Sequence, residues 1–201
     1  MAIALKHNLD SSITLNRPKT YKEKQLTHSS RDVWNTIARV LGNHVDSSIL
    51  QVNCGLSYLV DYLYDHHSFK RIRGIDLRQD LIQTYQKENP KHTHLVWADN
   101  FFRSSFETKI NDFDVYIFSS CLEYYEDPSL FLDRIPKGKT VVICYPNFDD
   151  GLVCSFFESK DSMKKKFESS VNQIEIQESI LYSIPEFLID QKIFILFGTK
   201  K

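Results

Sequence analysis

The feature that most constrains how this chain can fold is an alternation. Short apolar runs give way repeatedly to segments of helical spacing. "SSILQVN" is followed by "LSYLVDYLYDHHS", in which Leu59, Tyr62 and Leu63 share one side. "RIRGIDL" is followed by "RQDLIQTYQKENP", which Pro90 stops. "THLVWAD" and "DFDVYIFSS" read as further strands, and "DPSLFLDRI" opens a helix with Asp127 as cap and Pro128 in its first turn. "GKTVVICYP" is a fifth strand, a helix is expected around residues 153–168, and "VNQIEIQES" and "QKIFILFGT" supply two closing strands. Upstream, Ser30 or Asp32 is placed to cap a helix through "RDVWNTIARVLGNHV", with Val33, Ile37, Val40 and Leu41 on one face and Gly42 near its end.

Strands alternating with helices over short connections imply a parallel sheet covered on both faces. The first, fourth and fifth runs are almost wholly apolar, as central parallel strands are. The last two strands have no helix between them; the linker "ILYSIPEFLID" predicts an antiparallel pair at the sheet edge. The expected fold is thus α/β, a Rossmann-like doubly wound sheet of seven strands, mostly parallel with an antiparallel C-terminal strand pair. At 201 residues, one domain spanning 1–201 is expected: an N-terminal arm and helix over 1–45, a candidate lid, and a Rossmann-like core over 46–201.

Composition narrows the function classes. The chain is 42% hydrophobic and 25% charged, ample for one sizeable core. A net charge of -1 gives no global attraction to nucleic acid or anionic lipid, so nucleic acid is not expected as a partner. No apolar run approaches the ~18 residues of a membrane span, and "MAIALKHNLD" has no secretory pattern, so no membrane association and a cytoplasmic location are expected. Cys54, Cys121, Cys144 and Cys154 have no paired spacing and read as reduced, buried residues. His66 and His67 end a helix, and His92 and His94 lack completing ligands, so no metal is expected. Lys164, Lys165 and Lys166 read as a solvated helix face, with a docking patch as the sharper alternative.

In an open α/β sheet, ligands bind beyond the C-terminal ends of the strands. The first strand ends at Asn53-Cys54-Gly55-Leu56-Ser57, where Gly55 permits close backbone approach to a ligand and Asn53 tolerates a left-handed backbone. A plain strand-to-helix turn is the alternative. The second strand ends at Asp76, twenty-one residues after Gly55, where an acid can accept both hydroxyls of a ribose; the alternative is a helix cap. The third ends at Asp99, which can accept an exocyclic amine of a base bordered by Asn100 or Phe101, or can simply form a turn.

Taken together, Ile49 to Asn147 resembles the class I S-adenosylmethionine-dependent methyltransferases, nearest the small-molecule type with an "LExxxDP" segment. "ILQVNCG" is similar to that family's first motif, "GIDL" to its second and "WADNF" to its third. "DFDVYIFSSCLEYYEDPSLFLDRI" resembles its fourth strand, loop and helix, and "GKTVVICYPN" its fifth strand. The resemblance implies S-adenosyl-L-methionine as cofactor, held by Gln51, Asn53, Gly55, Asp76, Leu77, Asp99, Asn100, Phe101 and Ser119. It departs from the family at Gln51, where an acid is usual, at Asn53 and Ser57, which stand for loop glycines, and at Tyr124, which stands for histidine.

The reaction the resemblance implies is methyl transfer to an oxygen or nitrogen nucleophile of a small-molecule acceptor. Glu123, Tyr124 and Tyr145 are the pocket candidates, and no residue is assigned as the catalytic base, since one is needed only when the acceptor must lose a proton. Two alternatives stay open: a protein or RNA methyltransferase, and a degenerate, non-catalytic partner subunit. A nicotinamide dehydrogenase is disfavoured because the loop lacks Gly-x-Gly-x-x-Gly spacing.

Overall fold

A computed structural model of the chain describes residues 28–102, 111–119, 121–122, 127–146, 157, 159–184 and 189–201. Seven strands form one sheet: β1 (Ser48–Val52), β2 (Arg71–Asp76), β3 (Val96–Ala98), β4 (Val115–Ser119), β5 (Thr140–Pro146), β6 (Val171–Ile184) and β7 (Ile189–Lys200). Their order is β3-β2-β1-β4-β5-β7-β6. The first five run parallel, and β7 lies antiparallel between β5 and β6, as the sequence pattern predicts. The described helices are α1 (His28–Val40), α2 (Tyr58–His66), α3 (Gln79–Glu88), the single turn α4 (Ser129–Leu132) and α5 (Lys160–Phe167).

Strand alternation divides the core into two layers. Leu50, Val52, Tyr116, Phe118, Val141 and Ile143 face α4 and α5, which contribute Phe131, Leu132, Met163 and Phe167. Ile49, Val115, Ile117, Val142 and Cys144 face the other way, toward Ile37 of α1, Leu59 and Leu63 of α2, and Ile82 and Tyr85 of α3. Central strands that meet a helix layer on each face must be apolar at every position, which is why their runs lack a polar partner for each apolar residue. At the base of the sheet Asp114 ties three strands together. Its Oδ2 accepts from the Ser48 N–H (3.0 Å) and Ser48 Oγ (2.8 Å), and its Oδ1 from Lys139 Nζ (3.0 Å).

Several local expectations are corrected. Helix α1 is already helical at His28, the first described residue, so Ser30 and Asp32 lie inside it and do not cap it. Leu41–His44 continue it as a 3-10 turn. The third strand is shorter than "THLVWAD": Thr93–Leu95 coil as a 3-10 turn, because this edge strand pairs with β2 only from Gly74 to Asp76. The helix at "DPSLFLDRI" is one turn, although Asp127 does cap it by accepting from the Ser129 N–H at 3.0 Å. The described part of the expected 153–168 helix begins at Lys160 behind a Ser159–Ser162 capping box, and its Lys164, Lys165 and Lys166 are exposed. Much of the linker "ILYSIPEFLID" is strand. The ladder between β6 and β7 runs on to Ile184↔Ile189, whereas β7 leaves β5 at Ile193, so the hairpin overreaches the C-terminal end of β5. Residues 1–27 of the proposed arm lie outside the described residues, while α1 itself packs on the sheet, where Arg39 Nη2 donates to Gln177 Oε1 of β6 (3.3 Å).

Candidate functional site at the strand ends

The chain builds β1, β2 and β3 outward in one direction and then returns to lay β4 on the other side of β1. The crevice beyond the C-terminal ends of β1 and β4 is therefore the switch point at which such sheets take ligands.

The turn from β1 into α2 has three left-handed residues at alternate positions: Asn53 (φ 53°), Gly55 (φ 57°) and Ser57 (φ 57°). The backbone shape that usually calls for glycines is thus kept by an asparagine and a serine. Asparagine enters this region at small cost, serine at more. Hydrogen bonds hold the strained serine: its N–H donates to the Cys54 carbonyl (2.9 Å), its Oγ donates to Cys54 Sγ (2.9 Å), and its carbonyl accepts from the Asp61 N–H (3.1 Å). The Cys54 thiol fills the space left by Gly74, where an added Cβ would come within 2.9 Å of the sulfur. Burial first, and then the Asp76 carboxylate, push that thiol far up, so it stays protonated. It serves packing and is no thiolate nucleophile.

Asp76 is the hub of the site. It is 4% exposed at the end of β2. Its Oδ2 accepts from the Gly55 N–H at 2.8 Å. Its Oδ1 accepts from the Arg78 N–H at 2.9 Å and from Arg78 Nε at 3.3 Å. Its backbone carbonyl accepts from the Asp99 N–H at 3.0 Å, which joins the ends of β2 and β3. Next to it Leu77 is 41% exposed, a bare apolar surface at the lip of the crevice.

On β1, Gln51 is 3% exposed, lies in register with Gly74, and keeps Oε1 buried without a hydrogen-bond partner. A buried acceptor left unmatched costs about 1–3 kcal/mol.

After β3, Asp99 Oδ1 accepts from the Asn100 N–H (2.7 Å), and Asn100 Oδ1 accepts from the Phe102 N–H (2.8 Å). Both residues are half-buried at the crevice. Phe101 differs from expectation. Its ring is 3% exposed, stacks on Phe131 and meets Phe118 edge-on, so it is a core ring and not the border of a bound base. Ser119 is half-buried at the end of β4, and the Cys121 thiol beyond it donates to the Val52 carbonyl across the switch point (3.7 Å). Tyr145 is 2% exposed, with its ring packed edge-on against Phe157 at 4.6 Å. This corrects the expectation that it lines a pocket: its ring belongs to the core beneath the crevice. Glu123 and Tyr124 lie outside the described residues.

Of the residues expected from sequence, Gln51, Asn53, Gly55, Asp76, Leu77, Asp99, Asn100 and Ser119 lie at or just beyond the C-terminal ends of β1 to β4, while Arg78, which engages Asp76, was not among them. The signal was present: an arginine two residues after a strand-end acid is within reach of that acid's side chain. Among the described residues no helix is long and apolar enough to cross a membrane, and no His, Cys, Asp and Glu group of three or more is gathered as metal ligands. Cys54, Cys121 and Cys144 are buried.

Comparison with known proteins agrees with this geometry. A family model described as "Methyltransferase domain" matches residues 50–137. No curated protein matches the sequence. Among solved structures, N-methyltransferase NodS from Bradyrhizobium japonicum WM9, in complex with S-adenosyl-l-homocysteine, is similar at 14% identity over 92% of this chain and 98% of its own, with a TM-score of 0.62. A SAM-dependent methyltransferase from Aquifex aeolicus is similar at 12% identity over 90% and 97%, with a TM-score of 0.61. The methyltransferase domain of bacterial CtHen1 is similar at 13% identity over 85% and 98%, with a TM-score of 0.64. The CtHen1 likeness corrects the expectation that set nucleic acid aside as a partner. That expectation rested on net charge alone, and one fold of this kind serves acceptors of different classes. The strand order and the structural likenesses lead to one conclusion: the chain has the Rossmann-like fold of the class I methyltransferases, and its residues 50–137 match a methyltransferase domain.

Proposed function

We propose that this protein transfers a methyl group from S-adenosylmethionine to an oxygen or nitrogen nucleophile of a small molecule. The observation that carries the cofactor part is that two neighbouring strands end with a buried carboxylate, an exposed apolar residue next to it and an unmatched buried acceptor: Asp76, Leu77 and Gln51.

The donor set suits the cofactor's parts. Asp76 is the acceptor for ribose hydroxyls, Leu77 the apolar surface for one face of the adenine, and Asp99 with Asn100 the polar edge for the base. Gln51 Oε1 is the acceptor for the ammonium of the methionine portion, and the turn from Asn53 to Ser57 lets backbone approach that end closely. Ser119, at the end of β4, completes the residues turned to the cofactor in this reading. The bound cofactor would supply a methyl group already activated by its sulfonium. What remains for the protein is to align the acceptor and exclude water.

The fold likeness to the N-methyltransferase NodS over 92% of this chain supports a nitrogen acceptor as the first to test. A degenerate, non-binding loop is disfavoured, because Asn53 and Ser57 adopt the left-handed backbone that glycines would otherwise supply. The test is incubation with methyl-labelled cofactor and separate pools of small amines, small hydroxyl compounds and RNA. Label in a small-molecule fraction is expected; label confined to RNA would overturn the acceptor class.

A further inference from the structure

We propose that Arg78 is a competitor built into the ribose site: its guanidinium occupies the acceptor position on Asp76 that the cofactor's diol must take. The proposal rests on the cofactor reading above and adds to it a residue that sets affinity.

A carboxylate has about four acceptor positions, two on each oxygen. Bidentate capture of a vicinal diol uses one on each. On Asp76, Oδ2 already accepts from the Gly55 N–H at 2.8 Å, which leaves it one position. Oδ1 accepts both from the Arg78 N–H at 2.9 Å and from Arg78 Nε at 3.3 Å, which fills it. Of these three donors two are backbone. The Gly55 N–H belongs to the turn that shapes the crevice, and the Arg78 N–H closes the turn after β2, so neither can leave without rebuilding the loops. The Arg78 side chain alone can withdraw. It is 19% exposed, against 5% for the Asp76 side chain, so it lies on the solvent side of the carboxylate, along the route by which a diol would arrive. Its Nε contact is the longest of the three, hence the weakest to break.

A bound diol therefore displaces a guanidinium and not merely water. The apparent affinity is lowered by the fraction of molecules in which Arg78 is seated. The same seating lowers the worth of the ribose hydroxyl that takes the Oδ1 position, since it replaces an existing charge-assisted hydrogen bond.

The experiment is titration calorimetry of S-adenosylhomocysteine and its 2′-deoxy analogue into wild type, Arg78→Met and Arg78→Lys, with thermal unfolding of each protein as the folding control. Arg78→Met keeps length and apolar contact but cannot donate. It is expected to bind S-adenosylhomocysteine about three- to tenfold more tightly than wild type. Loss of the 2′-hydroxyl should cost under about threefold in wild type and about tenfold in Arg78→Met. Arg78→Lys lacks the Nε donor and should fall between. Equal or weaker binding by Arg78→Met, with the same hydroxyl penalty as wild type, overturns the proposal. Failure of all three folded proteins to bind either ligand overturns instead the cofactor reading on which it rests.

Discussion

The backbone N–H of Gly55 donates to Asp76 Oδ2 at 2.8 Å, so the carboxylate at the end of β2 holds the turn at the end of β1. One side chain therefore does structural work and offers chemistry. The two roles separate on substitution. Asp76→Ala leaves the Gly55 N–H without its acceptor and should cost about 1–3 kcal/mol of stability. Asp76→Asn keeps an oxygen for that N–H and should cost less, yet bind S-adenosylhomocysteine at least about tenfold more weakly, since an uncharged amide is a poorer partner for a diol. Chemical denaturation and calorimetry on the two variants check this. Full binding by Asp76→Asn would remove Asp76 from the ribose site.

Ser57 is buried with φ 57° and ψ 20° and keeps its hydroxyl on Cys54. Ser57→Ala retains the backbone strain and loses the hydrogen bond; Ser57→Gly loses the bond and relieves the strain. The glycine variant should be more stable than the alanine variant by about 1 kcal/mol. The order is read from denaturation midpoints, and the reverse order would show that the left-handed turn is not the conformation in solution.

Gly74 and Cys54 occupy one space. A Cβ at residue 74 would meet Cys54 Sγ at 2.9 Å and Val60 Cγ2 at 3.1 Å. Gly74→Ala should cost about 1–3 kcal/mol, the usual range for overpacking. Adding Cys54→Ala should recover part of that loss and leave the remainder to Val60 and to the Cβ of residue 54, which would also stand at 3.1 Å. Additive losses in the double variant would show that the two residues do not compete for volume.

These cases show what could be read in the sequence and what could not. The strand-end positions of Asp76 and Asp99 were legible because period and acid placement are local. The central strands were legible because burial on both faces demands uninterrupted apolar runs. The three-residue length of β3 was not, because it is fixed by how far β2 offers a partner. The reach of the last hairpin was hidden by a proline-containing linker that reads as a connection. Phe101 and Tyr145 were expected at the crevice from their place at strand ends; which face of the sheet their rings join is a tertiary matter. Arg78 escaped notice because its meaning depends on Asp76 having both oxygens already engaged.

Asp114 gives a pH-dependent prediction. The Ser48 N–H first, and then the Ser48 hydroxyl and Lys139, hold its carboxyl down at about 2. A folded-state value below the unfolded ~3.9 stabilises the fold above that unfolded value, and the contribution is lost as pH falls through the folded value. The stability gap between wild type and Asp114→Asn should thus be full at neutral pH, narrow below about pH 4 and close below about pH 2. With 46% of the side chain exposed, the share due to Lys139 should shrink in high salt. Urea denaturation at several pH values measures the gap, and a gap that does not change with pH would contradict the assignment.

The central claim is that the crevice formed by Gln51, the 53–57 turn, Asp76, Leu77 and Asp99 is an S-adenosylmethionine site. Calorimetric titration of the wild-type protein with S-adenosylhomocysteine tests it most directly. The account predicts saturable binding at one site per chain, abolished or strongly weakened in Asp76→Asn. Absence of measurable heat and of any thermal stabilisation with ligand at about millimolar concentration would contradict it.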